Sequence, residues 1–146
     1  SVTFPNSLET INYCAFRNCT SLDSVTIGNS VKTISNGAFQ NCSSLTSVTI
    51  GISVKYIGEW AFEYCKSLKS VIFPDSVKTI GYAAFFNCFM LEYVSIPDSV
   101  ENIGKRAFED CKSLKSVTIP KHLEENVRKT KVFPEHTEII IRWVKL

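Results

Sequence analysis

The chain has few of the residues and motifs that enzymes use. Among its 146 residues there are two histidines, His122 and His136, and neither lies in a recognisable motif. There is no Gly-x-Ser-x-Gly nucleophile motif, no phosphate-binding glycine loop and no pair of carboxylates at catalytic spacing. Cys-x-x-Cys pairs, which commonly supply zinc ligands, are also missing. We therefore predict a protein that is not an enzyme and that uses no metal or other cofactor.

Long apolar runs and a surplus of one charge are missing as well. No run approaches the roughly 18 apolar residues that a membrane-spanning helix needs. Residues 1–120 contain ten Lys or Arg and ten Asp or Glu, and the net charge of +2 comes from the remaining residues. No basic stripe runs along the repeats, as it would in a nucleic-acid-binding face. The sequence thus predicts neither a membrane span nor a nucleic-acid partner.

What the chain does contain is a strict repeat of 23 residues. Two residue types keep this step without a slip, as cysteine at Cys19, Cys42, Cys65, Cys88 and Cys111, and phenylalanine at Phe16, Phe39, Phe62, Phe85 and Phe108. A period of this length is typical of a solenoid, in which one small unit, here called a rung, stacks on copies of itself. Because stacked parallel strands lie roughly 4.8 Å apart, five rungs would form a stack about 25 Å deep.

The other apolar positions indicate how each rung is built. A rung opens with Leu-x-x-Val-x-Ile, as in Leu45 to Ile50, whose final alternation and β-branched residues predict a short front strand with one buried face. A second apolar pair follows, as at Val54 and Ile57, and predicts another short extended piece. The spacing of the next apolar positions would place them on one face of a helix. In one repeat these positions are Ile57, Ala61, Phe62, Cys65 and Leu68. We therefore predict one or two helical turns on the back of each rung.

When the repeats are aligned beneath one another, each repeated position forms a column. The unit that these columns define resembles the BspA-like leucine-rich repeat family. The residues that carry the resemblance are Leu45-Thr-Ser-Val-Thr-Ile50, Ser53-Val54, Ile57-Gly58, Ala61-Phe62 and Cys65, and five successive copies cover about residues 2–123. The resemblance implies an α/β repeat solenoid, a right-handed stack with parallel front strands and short helical turns on the back. Proteins of this family occur on the surfaces of bacteria and of some parasitic protists. It therefore also implies a secreted or cell-surface protein that adheres to host proteins or to neighbouring cells.

The repeat pattern is incomplete at the amino terminus. Val2-Thr3-Phe4-Pro5 aligns with Val25-Thr26-Ile27-Gly28, so Ser1 falls within a rung. We expect the natural chain to extend upstream, and a signal peptide is therefore not observable here.

At the other end the pattern degrades beyond Leu123. Residues 124–131 are polar enough for a short surface helix, and residues 133–140 resemble residues 73–80. We predict a leucine-rich solenoid over residues 1–123 and a degenerate capping repeat over residues 124–146, since solenoids need an atypical terminal unit. The apolar run at residues 139–144 would pack on the last rung, or would pair with a partner as an exposed edge strand.

The cysteine column fits neither a metal site nor disulfides. A spacing of 23 residues places the sulfur atoms in a row along the stack, with neighbouring Cα atoms about 5 Å apart but with parallel Cβ vectors. We predict buried free thiols that behave as small apolar groups. Cys14, which shares its column with Gly37, Trp60, Ala83 and Arg106, is predicted to be the most exposed thiol.

Two segments match the acceptor pattern for N-linked glycosylation. They begin at Asn18 and Asn41, and each has Cys between the Asn and a hydroxyl residue. Because that Cys is a core position and the Asn recurs with the repeat, the match is explained by the repeat itself. Use as acceptors would require a eukaryotic secretory origin.

Binding must use positions where a residue departs from the rest of its column. On the back, five aromatic residues cluster on two neighbouring rungs where other rungs carry Glu, Asn, Gln or Lys: Trp60, Tyr64, Tyr82, Phe86 and Phe89. On the front, the outward positions are mostly Ser and Thr, and Ile72 and Tyr93 are the bulky exceptions. Exposed rings of this kind mark interaction sites. The alternative is that they only shield loops or pack on one another.

The predicted function is therefore non-enzymatic protein binding, spread over a face of the stack. The partner would be a host extracellular or cell-surface protein of unknown identity, and self-association would use the same surface. The alternative function is a structural spacer that supports another domain of a longer surface protein.

Overall fold

The front of the molecule is built from parallel strands, one from each Leu-x-x-Val-x-Ile segment. The computed structural model describes residues 1–143. Four front strands pair in the order β1 (Val2–Thr3), β3 (Ser24–Thr26), β5 (Ser47–Thr49) and β7 (Ser70–Ile72), and three more in the order β9 (Tyr93–Ser95), β11 (Ser116–Pro120) and β12 (Glu138–Arg142). Val25 pairs with Val48, and Val48 pairs with Val71. The predicted register of one repeat per rung is confirmed.

A second parallel sheet follows from the second apolar pair of each rung. It has five two-residue strands, which in chain order are β2 (Thr10–Ile11), β4 (Thr33–Ile34), β6 (Tyr56–Ile57), β8 (Thr79–Ile80) and β10 (Asn102–Ile103). The isoleucine of each strand is buried, whereas the preceding residue faces outward. The extended pieces predicted between the front strand and the back of each rung are confirmed.

The back of each rung is a run of β-turns, and the predicted helical turns are wrong. In one rung the N–H groups of Ala61, Glu63 and Cys65 donate to carbonyls three residues earlier, whereas those of the alternate residues Phe62 and Tyr64 donate to the next rung. Positive φ angles recur twice in each turn segment, for example 56° at Trp60 and 60° at Tyr64. Such angles are incompatible with a right-handed helix. The rungs are therefore made of strands and turns.

The turn segments carry the phenylalanine column into the centre of the stack. Phe39, Phe62, Phe85 and Phe108 are fully buried. Their rings lie parallel to the rings of neighbouring rungs, with centroids 5.1–5.2 Å apart from Phe39 to Phe108. Together with the Leu, Val, Ile and Cys columns they form one continuous apolar core.

The carboxyl-terminal segment completes the stack in a different way. After β11, a 3-10 helix (Lys121–Leu123) and the short helix α1 (Glu124–Lys129) replace the second strand of a rung. Phe133 then stacks on Phe108, with ring centroids 5.3 Å apart. The short helix predicted after Leu123 is thus confirmed.

The repeat alignment predicted for the last segment is wrong. It matched Phe133 to Phe73 and Ile140 to Ile80, which would place Ile140 in the second sheet. The structure pairs Ile140 with Thr118 in the front sheet and places Phe133 at the end of the phenylalanine column. Ile139 and Ile141 pack against the core, whereas Ile140 is exposed. Val144, the last residue of the predicted apolar run, lies outside the described residues.

The front sheet divides between β7 and β9. At this rung Phe73 takes the place of the isoleucine found in the rungs on either side. Its ring packs edge-on against Phe85 and Phe108, at centroid distances of 5.6 and 6.5 Å. The division of the sheet thus coincides with a larger core side chain, whose ring contacts Phe85 of its own rung and Phe108 of the next.

Within residues 1–143, the structure has no helix with the length and apolar character that crossing a membrane requires.

Candidate protein-interaction surfaces

The five aromatic residues predicted on the back lie together. We call the surface formed by Trp60, Tyr64, Tyr82, Phe86 and Phe89 the aromatic ridge. Trp60 packs edge-on against Tyr82, with ring centroids 6.0 Å apart and planes at 83°. Tyr64 packs in the same way against Phe86, at 5.9 Å and 89°. Two ring pairs on neighbouring rungs thus run side by side, which is a favourable edge-to-face arrangement.

Cationic side chains lie against the aromatic ridge. The Arg106 guanidinium lies 4.8 Å from the centre of the Phe86 ring, and its Nη1 donates a hydrogen bond of 3.3 Å to the Tyr82 hydroxyl. Hydrogen bonding to Glu109 and to Tyr82 raises the pKa of Arg106 above its usual value, so the group stays charged. The Lys66 and Lys112 ammonium groups lie 5.8 and 5.2 Å from the centre of the Phe89 ring. These distances are within the range of cation–π contacts.

Two ridge residues are held in a backbone conformation that such side chains rarely adopt. Trp60 and Tyr64 have positive φ angles of 56° and 60°. The Tyr64 column otherwise contains Asn18, Asn41, Asn87 and Asp110, residue types that tolerate the left-handed region. Both side chains remain 37% exposed. Tyr82, Phe86 and Phe89 are half-buried.

The two bulky residues predicted on the front are more exposed than the ridge. Ile72 is 82% exposed and Tyr93 is 59% exposed. The Lys115 ammonium lies 5.6 Å from the centre of the Tyr93 ring and 3.1 Å from a Glu92 carboxylate oxygen. Hydrogen bonding to Glu92 raises the pKa of Lys115.

A groove opens beside Ile72, where the front sheet divides. This front groove has a volume of about 460 Å³, and its lining includes Ile72, Phe73, Asp75, Ser95, Asp98 and Arg142. Ile72 forms an apolar wall, whereas the two carboxylates and the guanidinium are polar. The front and the back of the stack therefore present surfaces of different chemistry.

Other large apolar side chains that the sequence reasoning missed are exposed as well. They are Tyr13, Ile52, Tyr56, Met90 and Trp143, with exposures between 44% and 71%. The sequence contained a signal for three of them, because each differs from the other residues of its column. Ile52 stands among Asn and Asp, Tyr56 among Thr and Asn, and Met90 among Ser. The predicted surfaces were limited to residues of the front strands and turn segments that differ from the others in their columns.

The cysteine column is free of disulfides and largely buried, as predicted. Cys42, Cys65, Cys88 and Cys111 are fully buried, and Cys14 and Cys19 are partly exposed. Each buried thiol donates a hydrogen bond of 3.2–3.3 Å to the phenylalanine carbonyl of the preceding rung. Burial raises the pKa of Cys42 to about 11, and the pKa values of Cys65 and Cys88 also lie far above the usual value. Cys42, Cys65 and Cys88 are therefore protonated at neutral pH.

The two asparagines that match the glycosylation pattern lie next to each other on the turn segments. Asn18 is exposed and Asn41 is partly buried, and the Asn41 Nδ2 donates a hydrogen bond of 2.9 Å to the Asn18 Oδ1. Both have positive φ angles, of 63° and 58°. Their recurrence therefore has a backbone explanation.

Comparison with known families agrees with this architecture. The model of the BspA type leucine rich repeat region matches residues 1–115, in six copies. The chain belongs to the BspA-type leucine-rich repeat family. The family resemblance stated from the sequence is thus confirmed. A comparison with curated protein sequences finds no match.

Solved structures of leucine-rich repeat proteins share the fold. The T. pallidum leucine rich repeat protein TpLRR is 30% identical with a TM-score of 0.80, and the alignment covers 97% of this chain and 72% of that one. A leucine-rich repeat protein from Bacteroides ovatus is 34% identical with a TM-score of 0.77, covering 99% of this chain but 42% of that one. A leucine rich cell surface protein from Faecalibacterium prausnitzii is 22% identical with a TM-score of 0.58, covering 99% and 32%. The chain thus spans less than half the length of the latter two proteins.

Proposed function

We propose that this chain is a non-enzymatic protein-interaction module that contacts its partner through the aromatic ridge. The observation that carries the proposal is the placement of Trp60 and Tyr64 at both positive-φ positions of one rung, with their rings still partly exposed. Leucine-rich repeat families generally mediate protein interactions, which supports the proposal at the level of function class.

The backbone conformation of these two residues has an energetic cost. Holding a residue other than glycine in the left-handed region costs roughly 1–2 kcal/mol. Edge-to-face ring pairs such as Tyr64 with Phe86 stabilise the folded state by roughly 0.5–1.5 kcal/mol. These two contributions offset one another, and a bound partner would bury the part of the ring that the folded chain leaves exposed.

The composition of the ridge also suits protein binding. Trp, Tyr and Arg are enriched among the residues that contribute most to interface affinity. Trp60, Tyr64 and Tyr82 with Arg106 provide that set within two ring pairs and one cation contact. The half-buried rings need little further ordering when a partner binds, which reduces the entropy cost of association.

We propose a cell-surface or secreted location, with a host or neighbouring-cell protein as the partner. The support is the family itself, together with relatives of the same fold described as a leucine rich cell surface protein and as the pneumococcal vaccine antigen PcpA. An adhesive role would follow from that location.

We also propose that residues 124–146 cap the solenoid formed by residues 1–123. The Phe133 ring covers Phe108, the last phenylalanine in the 23-residue series. The N–H groups of Arg106 and Phe108, which in other rungs would donate to the next repeat, donate here to the carbonyls of Lys131 and Val132. An atypical terminal unit of this kind is what a solenoid requires.

The alternative function is a structural spacer that supports another domain. The ring-to-ring contacts of the ridge favour this alternative, because they are also what a purely structural cluster would show. The two functions differ in what happens when the exposed rings are removed.

The test is an affinity capture of extracellular and cell-surface proteins with the immobilised chain. Three forms are compared: the wild type, a Trp60→Gly/Tyr64→Asn double variant, and a control with Tyr13→Ala, an exposed aromatic residue outside the ridge. We expect a protein that the wild type and the control retain and that the double variant loses, with direct binding confirmed on the purified pair. Retention of the same proteins by all three forms would favour the spacer.

A further inference from the structure

The chain places one of its own arginines in the front groove. The Arg142 side chain, on the last front strand, extends back toward rung residues 95–98. Its Nε and Nη2 donate to the same Asp98 carboxylate oxygen at 3.1 and 3.0 Å, and its Nη1 donates to the Ser95 hydroxyl at 3.3 Å. Nη2 also donates to the carbonyl of Ile96. The groove is thus able to bind a guanidinium group.

The carbonyl that Arg142 binds is free for a simple reason. In this parallel ladder, the Ile96 N–H donates to the Thr118 carbonyl at 2.8 Å, so the residue that would donate back to the Ile96 carbonyl is Pro120. Proline has no N–H. The guanidinium supplies the missing donor, and the Asp98 carboxylate beside it balances the charge.

Two of these three acceptors recur one rung earlier, whereas Ile72 takes the place of Ser95. Phe73-Pro74-Asp75-Ser76 repeats Ile96-Pro97-Asp98-Ser99 at the 23-residue spacing, so Asp75 corresponds to Asp98 and the Phe73 carbonyl to the Ile96 carbonyl. Pro97 stands where a ladder donor to the Phe73 carbonyl would be. Asp75 lines the same groove and is exposed.

No side chain of the described residues forms an ion pair with Asp75. Arg142 pairs with Pro120, and Pro120 is one repeat after Pro97. Arg142 therefore lies two rungs beyond Pro97, the residue that precedes Asp98. The residue two rungs beyond Pro74 is Pro120, which has no cationic group. Among residues 1–143, the groove therefore contains one carboxylate that an arginine neutralises and one that no cationic side chain contacts.

We propose that the Asp75 side of the front groove binds an arginine side chain of a protein partner. The guanidinium would lie on the Asp75 carboxylate and the Phe73 carbonyl, as Arg142 lies on Asp98 and Ile96 one rung later, and Ile72 would pack beside it in place of the Ser95 hydroxyl. Arginine is favoured over lysine because its planar fork donates to a carboxylate and a neighbouring acceptor together. This goes beyond the proposed function at the aromatic ridge, since the groove lies on the front of the stack.

The affinity of this subsite alone is expected to be low. Ion pairs exposed to solvent contribute little, because water and salt screen them. The apolar wall at Ile72, 82% exposed in the free chain, adds burial that a pair on a flat polar surface would lack. The subsite would thus select an arginine-bearing segment within a larger interface.

The experiment is an NMR titration of the ¹⁵N-labelled chain with a small arginine probe. The probe is acetyl-Thr-Ile-Thr-Arg-Thr-amide, and its matched control has citrulline, which is neutral and of the same shape, in place of arginine. We expect saturable shifts of the Ile72, Phe73 and Asp75 amides with the arginine peptide and at least tenfold weaker binding of the citrulline peptide. In Asp75→Asn the preference for arginine should disappear, whereas Asp110→Asn, at another exposed aspartate, should keep it.

Two results would overturn the proposal. One is the absence of saturable shifts at the groove with the arginine peptide, and the other is equal binding of the two peptides to the wild-type chain. The peptide comparison uses the unaltered protein, so it does not depend on how the variants fold. Tyr64→Asn should leave the titration unchanged, which separates failure of this proposal from failure of the proposal for the aromatic ridge.

Discussion

Phe62 and Phe85 lie parallel on successive rungs, with ring centroids 5.1 Å apart and planes inclined by 8°. This separation is close to the spacing of neighbouring strands in a parallel sheet, roughly 4.8 Å. The backbone therefore sets the distance between the rings, and an exact repeat of 23 residues keeps them in register. The same relationship extends along the stack from Phe16 to Phe108.

Phe62→Ala should reduce the free energy of unfolding strongly. The ring is fully buried between Phe39 and Phe85, and its removal leaves a cavity that the rigid ladder cannot close. We expect a loss of about 3–5 kcal/mol, measured by urea denaturation. Phe16→Ala, near the partly exposed end of the column, is the control and should cost less. Equal losses in the two variants would contradict a continuous core.

Gly81→Ala should destabilise the chain because the rungs approach closely at this position. A Cβ at Gly81 would lie 2.7 Å from the Glu59 nitrogen and from the Gly58 carbonyl carbon, both backbone atoms of the preceding rung. Overpacking of this kind costs roughly 1–3 kcal/mol. The matched control is Gly28→Ala, where the nearest atoms lie at 3.8 Å. Thermal unfolding that shows the same midpoint for both variants would disprove the close approach.

Ala83→Gly should be neutral or stabilising, although glycine usually weakens a folded chain. Ala83 has a positive φ angle of 52°, and Gly37 occupies the same column with 67°. Ala84→Gly is the control, because Ala84 is fully buried and is not among the residues with positive φ. We expect Ala84→Gly to reduce the free energy of unfolding by roughly 0.5–1 kcal/mol and Ala83→Gly not to reduce it. Chemical denaturation of the two variants gives the comparison, and a larger loss in Ala83→Gly would contradict the turn geometry.

The cysteines should react in two classes. At pH 8 in native conditions we expect an aromatic disulfide reagent to modify Cys14 and Cys19 only, and all six cysteines after denaturation. The buried thiols are slow because they are inaccessible, and burial also raises the pKa values of Cys42 and Cys65. Six fast thiols in the native chain would contradict the buried column.

The raised thiol pKa values also predict the direction of the pH dependence. The folded form holds these protons more tightly than the unfolded form, so stability falls as pH rises from the ordinary cysteine pKa near about 8.5 toward the value of about 11 for Cys42. Urea denaturation between pH 8 and pH 10.5 measures this slope. Replacing Cys65 by alanine should make the slope shallower, and an unchanged slope would count against the assignment.

The rung architecture could be predicted from the sequence because each column reports one structural position. Val48 and Ile50 alternate and are β-branched, so their strand was evident. The turn segment was mistaken for a helix because Ala61, Phe62 and Cys65 have apolar spacing that suits a helix and a run of β-turns equally. The distinguishing signal was the column of Asn18, Asn41, Asn87 and Asp110, residue types that accept a positive φ angle.

The candidate surfaces were only partly predictable. The ridge residues depart from their columns and are therefore visible in the repeat alignment. The front groove depends on Phe73 and on an arginine from the last strand, and its position follows from a register that the alignment of residues 133–140 misjudged. Once a segment leaves the 23-residue repeat, the sequence no longer indicates which strand it joins.

The ridge residues differ from the residues at the same positions of other rungs. The stability of Tyr64→Asn tests most directly whether this difference has a reason other than folding. Asparagine restores the usual residue of the column and removes the strain of a positive φ angle, but it loses the edge-to-face contact with Phe86. Because the relief of strain offsets the lost contact and part of the lost ring burial, we expect a free energy of unfolding within about 1 kcal/mol of the wild type, or higher. A loss of more than about 1 kcal/mol would show that Tyr64 serves the fold itself and would contradict the proposed interaction surface.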